Sequence, residues 1–422
     1  MSQTSSQTTD PNARPDRREF LLQAGGTLAA MALMPSVLPA AVRLAEPLNI
    51  GVIGAGRQGR ALIAELQKIE GVSVKALCDT DASRLDRAVR QVRGATGYAT
   101  HKDLFDKAKD VTAVIIATPT HQHKEIAVDA IGAGKHVYCE TPLAHTIDDC
   151  RTIARAARGA KTVFATALEG RSNPVYTLAR TFYRAGSLRE LVSMRAQNYQ
   201  QNSWRVAGGS DQARDRELNW KLDDNVSIGL PGELGTNQFD VFNWYTDQYP
   251  VRISGDGAVR VYDDGRKVPD TVLVTMKYSG GAMLSYAATL ANSFEGRHEV
   301  FHGSRAAMKL AWSHGWMFKE AGSEQQGWEV YANRQQFHND EGITLIADAT
   351  KLAAQGKLKE GVGLPFPSHY YAISDFVKSV SEGKPAAASA DEGFRATAIG
   401  ILAHQAVMKG ETISVDADML KV

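Results

Sequence analysis

The stretch "GVIGAGRQGRALI", residues 51–63, decides the reading of this chain. Its opening residues close an apolar run, Leu48-Asn49-Ile50-Gly51-Val52-Ile53, with the near-continuous hydrophobicity of a strand buried on both faces. Gly54, Gly56 and Gly59 follow at once, and from Ala61 to Ile69 helix formers carry apolar residues at helical spacing. In such a strand–turn–helix unit the first glycine permits the tight turn and the second lets a ligand approach the backbone. The third lets the helix pack closely on the strand. The free amides at the helix start, where Arg57 and Gln58 lie, then face a pyrophosphate. A second strand, Val72 to Cys78, ends on Asp79, 20 residues after Gly59, where a carboxylate accepts the hydroxyls of an adenine ribose. The combination predicts a bound dinucleotide. A carboxylate there disfavours a 2′-phosphate, so NAD is expected, with Arg57 leaving NADP open.

The alternation continues. Asp81 to Val92 reads as a helix, and "VTAVIIA", residues 111–117, as a fully buried strand. It stops at Thr118-Pro119-Thr120-His121-Gln122-His123, a helix follows to Ile131, and the strand at His136 to Cys139 stops at Glu140-Thr141-Pro142. Strand ends on this edge of a doubly wound sheet face the ligand crevice. Thr118, Pro119, His121, His123 and Glu140 are therefore expected against the cofactor. For the two histidines, bonding local backbone at a helix start is an equal alternative.

Beyond residue 171 the pattern changes. "LRELVSMRAQNY", "DTVLVTMKYS" and "AMLSYAATL" are runs rich in Val, Leu, Thr and Tyr with partial alternation, and "GDG", "DDG" and "SGG" punctuate the region as turns. Asp391 to Lys409 reads as a final helix ended by Gly410.

Composition narrows the function. The 422 residues are 43% hydrophobic and 23% charged, with a net charge of +1 and both signs spread along the chain. Nothing marks a nucleic-acid face or a polybasic membrane arm. The cysteines, Cys78, Cys139 and Cys150, lack the spacing of a disulfide framework or a zinc site, so no metal is expected.

The N-terminus carries a different message. Residues 1–19 are polar and contain Arg17-Arg18, and Phe20 to Val42 hold no charge. This order predicts a twin-arginine signal peptide over residues 1–45, and a periplasmic or otherwise extracytoplasmic location. A polar arm leading into an amphipathic helix is the alternative. There is no clean small-x-small cleavage site between Pro39 and Ala45, and an uncleaved leader would tether the protein to a membrane. The twin-arginine route carries folded proteins, which would let a dinucleotide leave the cytoplasm already bound.

"ATPTHQHKEIAVDAIGAGKHVYCETPLA" after this opening, and "PSHYYAISDFVKSVSEGKP" near the C-terminus, resemble the Gfo/Idh/MocA oxidoreductases over roughly residues 48–415. The resemblance implies an α/β protein with an N-terminal Rossmann domain, residues 46–170. A C-terminal α/β domain, residues 171–422, would carry an open, mostly antiparallel sheet that walls the substrate pocket and supports homo-oligomerisation. Typical members transfer hydride between a sugar or cyclitol and NAD(P), and some are NAD-dependent glycoside hydrolases working by transient oxidation and elimination.

The resemblance also exposes departures. The family supplies a Lys in a Glu-Lys-Pro turn, and an Asp and a His four residues apart at a helix start. Here the turn is Glu140-Thr141-Pro142, and "GELGTNQFDVFNWY" places Glu233 for the Asp and Asn237 for the His, with Asp240 retained. Thr141 and Asn237 have no proton to exchange near neutral pH, and Glu233 keeps the chemistry with a longer reach. Glu233, assisted by His123 or His369, is one candidate base, with Thr141 and Asn237 as hydrogen-bonding partners of the substrate. A hydrolytic or epimerase-like enzyme and a non-catalytic sugar- or dinucleotide-binding subunit are the alternatives. Trp204, Arg205, Trp220 and Lys221 stand in polar, loop-like contexts, where indole faces beside charged groups suit a polyhydroxylated ring or an oligomer arm.

Overall fold

Continuous apolar runs build one sheet of this protein and alternating runs build the other. The computed structural model describes residues 47–422 apart from 326–328, 330–331, 348–351, 353–354 and 358–361, so the expected leader lies outside the described residues. The first sheet comprises β1 (Leu48–Ile53), β2 (Val72–Cys78), β3 (Thr96–Tyr98), β4 (Ala113–Ile116), β5 (His136–Cys139) and β6 (Phe164–Thr166). All pair in parallel in the order β3-β2-β1-β4-β5-β6, the doubly wound arrangement. Every residue of β4 is buried, as parallel strands covered by helices on both faces require.

Among the described residues the second sheet has ten strands: β7 (Leu191–Tyr199), β8 (Pro250–Ala258), β9 (Thr271–Tyr278), β10 (Met283–Thr289), β11 (Arg297–Gly303), β12 (Ala306–Ala311), β13 (His314–Lys319), β14 (Arg334–Phe337), β15 (Asp340–Thr344) and β16 (Ile413–Ser414). Its order is β14-β15-β13-β12-β11-β7-β10-β9-β8-β16, antiparallel throughout except for β7 with β10. In β9 the residues Val272, Val274, Met276 and Tyr278 are buried while Leu273, Thr275 and Lys277 face out, so one face of the sheet packs and the other is open.

Three helices join the halves. Thr236–Thr246 buries Phe239, Val241, Phe242 and Tyr245 against the ten-stranded sheet, with Tyr245 stacked on Phe301 at 4.7 Å. Ala390–Lys409, begun by a Ser389–Glu392 capping box, packs against β8 and against helix Ile147–Gly159 of the first half. Ser368–Glu382 runs back to the parallel sheet, where Phe376 and Ile373 share a core with Val52, Leu62 and Tyr138. No helix among the described residues is long and apolar enough to cross a membrane.

Candidate active site

The glycine turn has the shape its spacing predicts. Gly54 has φ +95°, and a Cβ there would lie 2.6 Å from the Ala117 carbonyl oxygen; a Cβ on Gly59 would meet the Gly54 oxygen at 1.8 Å. Gly56 differs: a Cβ there would meet nothing within 4 Å, so its backbone borders open space. Helix Arg57–Leu66 starts at that point with no side-chain cap and no acid in its first turn. Its amides are free and its positive dipole end uncompensated, which fits an anionic pyrophosphate. Asp79 is buried at the end of β2, where its Oδ2 accepts from the Ala55 amide at 2.7 Å and its Oδ1 from the Asp81 amide at 2.8 Å. The carboxylate thus braces the turn from the side on which an adenine ribose is expected. These residues fit a dinucleotide.

The ends of β4 and β5 form the next part of the crevice. Gln58 donates through Nε2 to Glu140 Oε1 at 3.1 Å. Burial first, and then the neighbouring Glu169 carboxylate, push the Glu140 pKa up to about 8. Thr118 Oγ1 and His121 Nδ1 are buried without a protein partner. His121 is packed edge-on between His145 and Trp220 at 6.2 and 5.6 Å, and burial holds it below the usual imidazole range. His123 behaves otherwise. Its Nδ1 and Nε2 lie 2.9 Å from the carbonyls of Pro142 and Thr118, and burial lowers its pKa to about 4. A neutral ring donates to only one of these carbonyls, and with both nitrogens facing backbone oxygens at the turns after β4 and β5, neither points to a cofactor or substrate.

The opposite wall comes from the second half. Glu233 does not open the helix that runs through Tyr245; it ends a short preceding helix, Gly229–Glu233, and Gly235 separates the two. A Cβ on Gly235 would clash with the Pro231 oxygen at 2.4 Å, so the chain breaks there tightly. Glu233 Oε1 accepts from Thr120 Oγ1 at 3.0 Å, and its Oε2 lies 3.6 Å from Lys221 Nζ. Burial raises its pKa, opposed by Lys221 and Thr120. Asn237 donates from Nδ2 to Thr141 Oγ1 at 2.8 Å, while its Oδ1 is buried with no partner. Thr141 in turn donates to the Ala167 carbonyl at 3.2 Å. The three substituted family positions therefore gather at one seam between the halves.

Other expected site residues are used differently. Asp240 is bound at both oxygens by Arg171 at 2.8 Å, and Arg171 also reaches Glu392 at 3.4 Å, so Asp240 braces helices rather than presenting a free carboxylate to a substrate. His369, on helix Ser368–Glu382, stands within electrostatic reach of Glu65 on helix Arg57–Leu66 and of Lys68 just past its end, and is not brought to the seam. Arg205 pairs with Asp215 of its own segment at 3.4 Å. Trp204 and Trp220 do reach the site, with Lys221 Nζ over both rings at 4.9 and 5.3 Å from their centroids.

Two participants escaped the sequence reading. Thr120 meets Glu233 across 113 residues of chain, which no local pattern reports. Glu169 follows β6 and interacts electrostatically with Glu140 and Arg297. The strand-end rule that selected Glu140 would have found Glu169, had the three-residue strand Phe164–Thr166 been recognised. Among the described residues His101, Glu125 and Asp129 bring donor atoms within 4.8 Å of one another, but Lys102 already holds Glu125 at 3.0 Å. The three cysteines are buried and unpaired.

Residues 48–168 match the model of the oxidoreductase family with an NAD-binding Rossmann fold, and residues 176–309 match the GFO/IDH/MocA C-terminal domain. The chain belongs to the Gfo/Idh/MocA family. Its first half is thus an NAD-binding domain, as the glycine turn and Asp79 predict. Levoglucosan dehydrogenase of Pseudarthrobacter phenanthrenivorans is 24% identical over 273 residues, 58% of this chain and 68% of its own length. The alpha-N-acetylgalactosaminidase of Shewanella oneidensis is 32% identical over 167 residues, 33% of this chain and 36% of its own. The match spans about a third of the length of the curated glycosyl hydrolase family 109 relatives. A solved structure of levoglucosan dehydrogenase in complex with NADH and levoglucosan superposes with a TM-score of 0.68 at 20% identity, covering 87% of this chain and 99% of that one. The family fold therefore extends well beyond the segments matched by sequence.

Proposed function

We propose that this protein is an exported oxidoreductase that keeps NAD bound and acts on a sugar or sugar derivative by hydride transfer. The observation that carries the reading is the seam itself. An open glycine turn faces one end of a crevice, and a buried carboxylate, Glu233, stands with an ammonium, Lys221, at the other. NAD bound along the strand ends supplies the hydride acceptor. Gly56 and the first turn of helix Arg57–Leu66 would hold its pyrophosphate, and Asp79 its ribose. Asn237 Oδ1, which has no protein partner, can accept from a substrate hydroxyl, and the indoles of Trp204 and Trp220 offer apolar faces to a sugar ring.

Export and a nicotinamide site are compatible only if the cofactor is not exchanged with a free pool. Either a second sugar restores it, or one cycle of oxidation, elimination and reduction leaves it unchanged. The N-acetylgalactosaminidase relative favours the second route, and the dehydrogenase relative the first. Retention is supported by the segment 200–223, which reaches from Asp81 beside the ribose carboxylate to His121 and Glu233 at the seam.

The test is to express the chain with its leader, purify it from the periplasm without added nucleotide, denature it and identify released dinucleotide by mass. About one NAD(H) per chain is expected. Protein that is empty and also fails to take up NAD would overturn the reading in favour of a binding subunit.

A further inference from the structure

We propose that Lys221 exchanges the proton of the substrate hydroxyl, entering from the wall opposite the Glu140-Thr141-Pro142 turn where a lysine is missing. This rests on the oxidoreductase reading above and names the residue that reading lacks. Thr141 cannot take a proton, Asn237 cannot, and both nitrogens of His123 face backbone carbonyls. Glu233 has one oxygen on Thr120 at 3.0 Å and the other 3.6 Å from Lys221, and its side chain is only 3% exposed. It is placed to hold a cation rather than to meet a substrate. Lys221 is different: a third of its side chain is exposed, and its amine lies over two indole rings at the point where Glu233 ends.

A lysine so placed can work in both directions. In oxidation the carbinol carbon gives up its hydrogen with the bonding pair to the nicotinamide. The hydroxyl O–H breaks, its proton passes to the Lys221 nitrogen, and the C–O bond becomes a carbonyl. The resulting ammonium is held by the Glu233 carboxylate and the two rings. In reduction the same ammonium returns the proton as hydride comes back to carbon. Glu233 is in this account a positioning residue, as is Thr120, which aims it.

Two measurements test this. The first needs no substrate: competitive acylation of the holoprotein with acetic anhydride at pH 8, read at each lysine by peptide mass spectrometry. With Glu233→Gln the Lys221 amine loses the carboxylate that lies 3.6 Å away and holds it in place, and its labelling relative to Lys384 rises about twofold or more. An unchanged ratio overturns the coupling. The second is turnover of levoglucosan and of 4-nitrophenyl N-acetyl-α-galactosaminide. Lys221→Met keeps its bound dinucleotide and melting temperature, yet kcat falls by about a hundredfold or more while KM stays within about threefold. Lys221→Arg does not rescue it, because a guanidinium does not release its proton. Adding Thr141→Lys to Lys221→Met restores part of the rate. Wild-type kcat in Lys221→Met overturns the proposal. A wild-type protein inert on both sugars counts against the oxidoreductase reading on which the proposal rests, whereas an active wild type beside an equally active Lys221→Met counts against Lys221 alone.

Discussion

The carboxyl group of Glu140, in the cofactor crevice, holds its proton far above the ordinary carboxylate range, and the sign of that shift makes a stability prediction. Its folded pKa, about 8, lies above the ordinary value of 4.5, because burial and the Glu169 carboxylate disfavour the charged form more than Gln58 favours it. The folded state therefore holds the proton more tightly than the unfolded chain does. Its contribution is fully present below about pH 4.5 and is lost as pH rises through about 8. Glu140→Gln removes this dependence. Between pH 5 and 9 the wild type should lose up to about 4 kcal/mol more unfolding free energy than the variant. Urea midpoints of both proteins at the two pH values measure this, and equal losses would show that Glu140 is already ionised. At the same scale, His123 illustrates how a histidine in a ligand-facing turn becomes a structural tie once a second strand-end carbonyl reaches its ring.

At the scale of elements, the segment 200–223 is the feature that distinguishes the crevice. It braces itself: Asn219 accepts from the Val206 amide at 2.8 Å and donates to its carbonyl at 2.9 Å, and Arg205 reaches Asp215. Helix Gln212–Leu218 then carries Arg214 to Asp81 at 2.5 Å, two residues past the ribose carboxylate. A dinucleotide lying along the strand ends would pass beneath this segment. Arg214 is half-exposed, so the pair is a weak contact open to solvent and salt. Arg214→Ala should release bound NADH about fivefold faster with little change in melting temperature. Fluorescence decay after dilution into excess NAD reads the rate, and an unchanged rate would mean that the segment does not gate the cofactor. High salt should accelerate the wild type toward the variant, because the ion pair is open to screening.

At the scale of the whole molecule, the NAD-binding half is completed by chain that arrives 200 residues later. Phe376 is wholly buried and packs its ring 5.8 Å from Tyr138 of β5, within the core that holds Val52 and Leu62. The second core runs without interruption from Ile53, Ile116 and Cys139 beneath the parallel sheet to Tyr286 and Phe301 of the other. The two halves should therefore unfold together. Phe376→Ala should cost about 3 to 5 kcal/mol and lower dinucleotide affinity with it. A loss below about 1 kcal/mol in a urea titration, with binding intact, would show that the helix is an appendage.

The NAD-binding turn, its strand and helix, and the carboxylate at Asp79 were legible in the sequence because each is local. A tight turn needs glycine wherever a Cβ would strike a carbonyl, and apolar periodicity marks buried strands and helices within a dozen residues. The family motifs also located Thr141, Glu233 and Asn237, and the fold brings them to one seam. Which partners those residues meet there is decided only by tertiary contacts. The meeting of Thr120 with Glu233, of Lys221 with the same carboxylate, and of Arg171 with Asp240 joins positions 12 to 113 residues apart. Hydrogen bonds and ion pairs at that separation leave no periodic trace, since only the closed chain determines which buried polar groups find each other. The sequence by itself determined the dinucleotide site; packing decided which of its polar residues remain free to act.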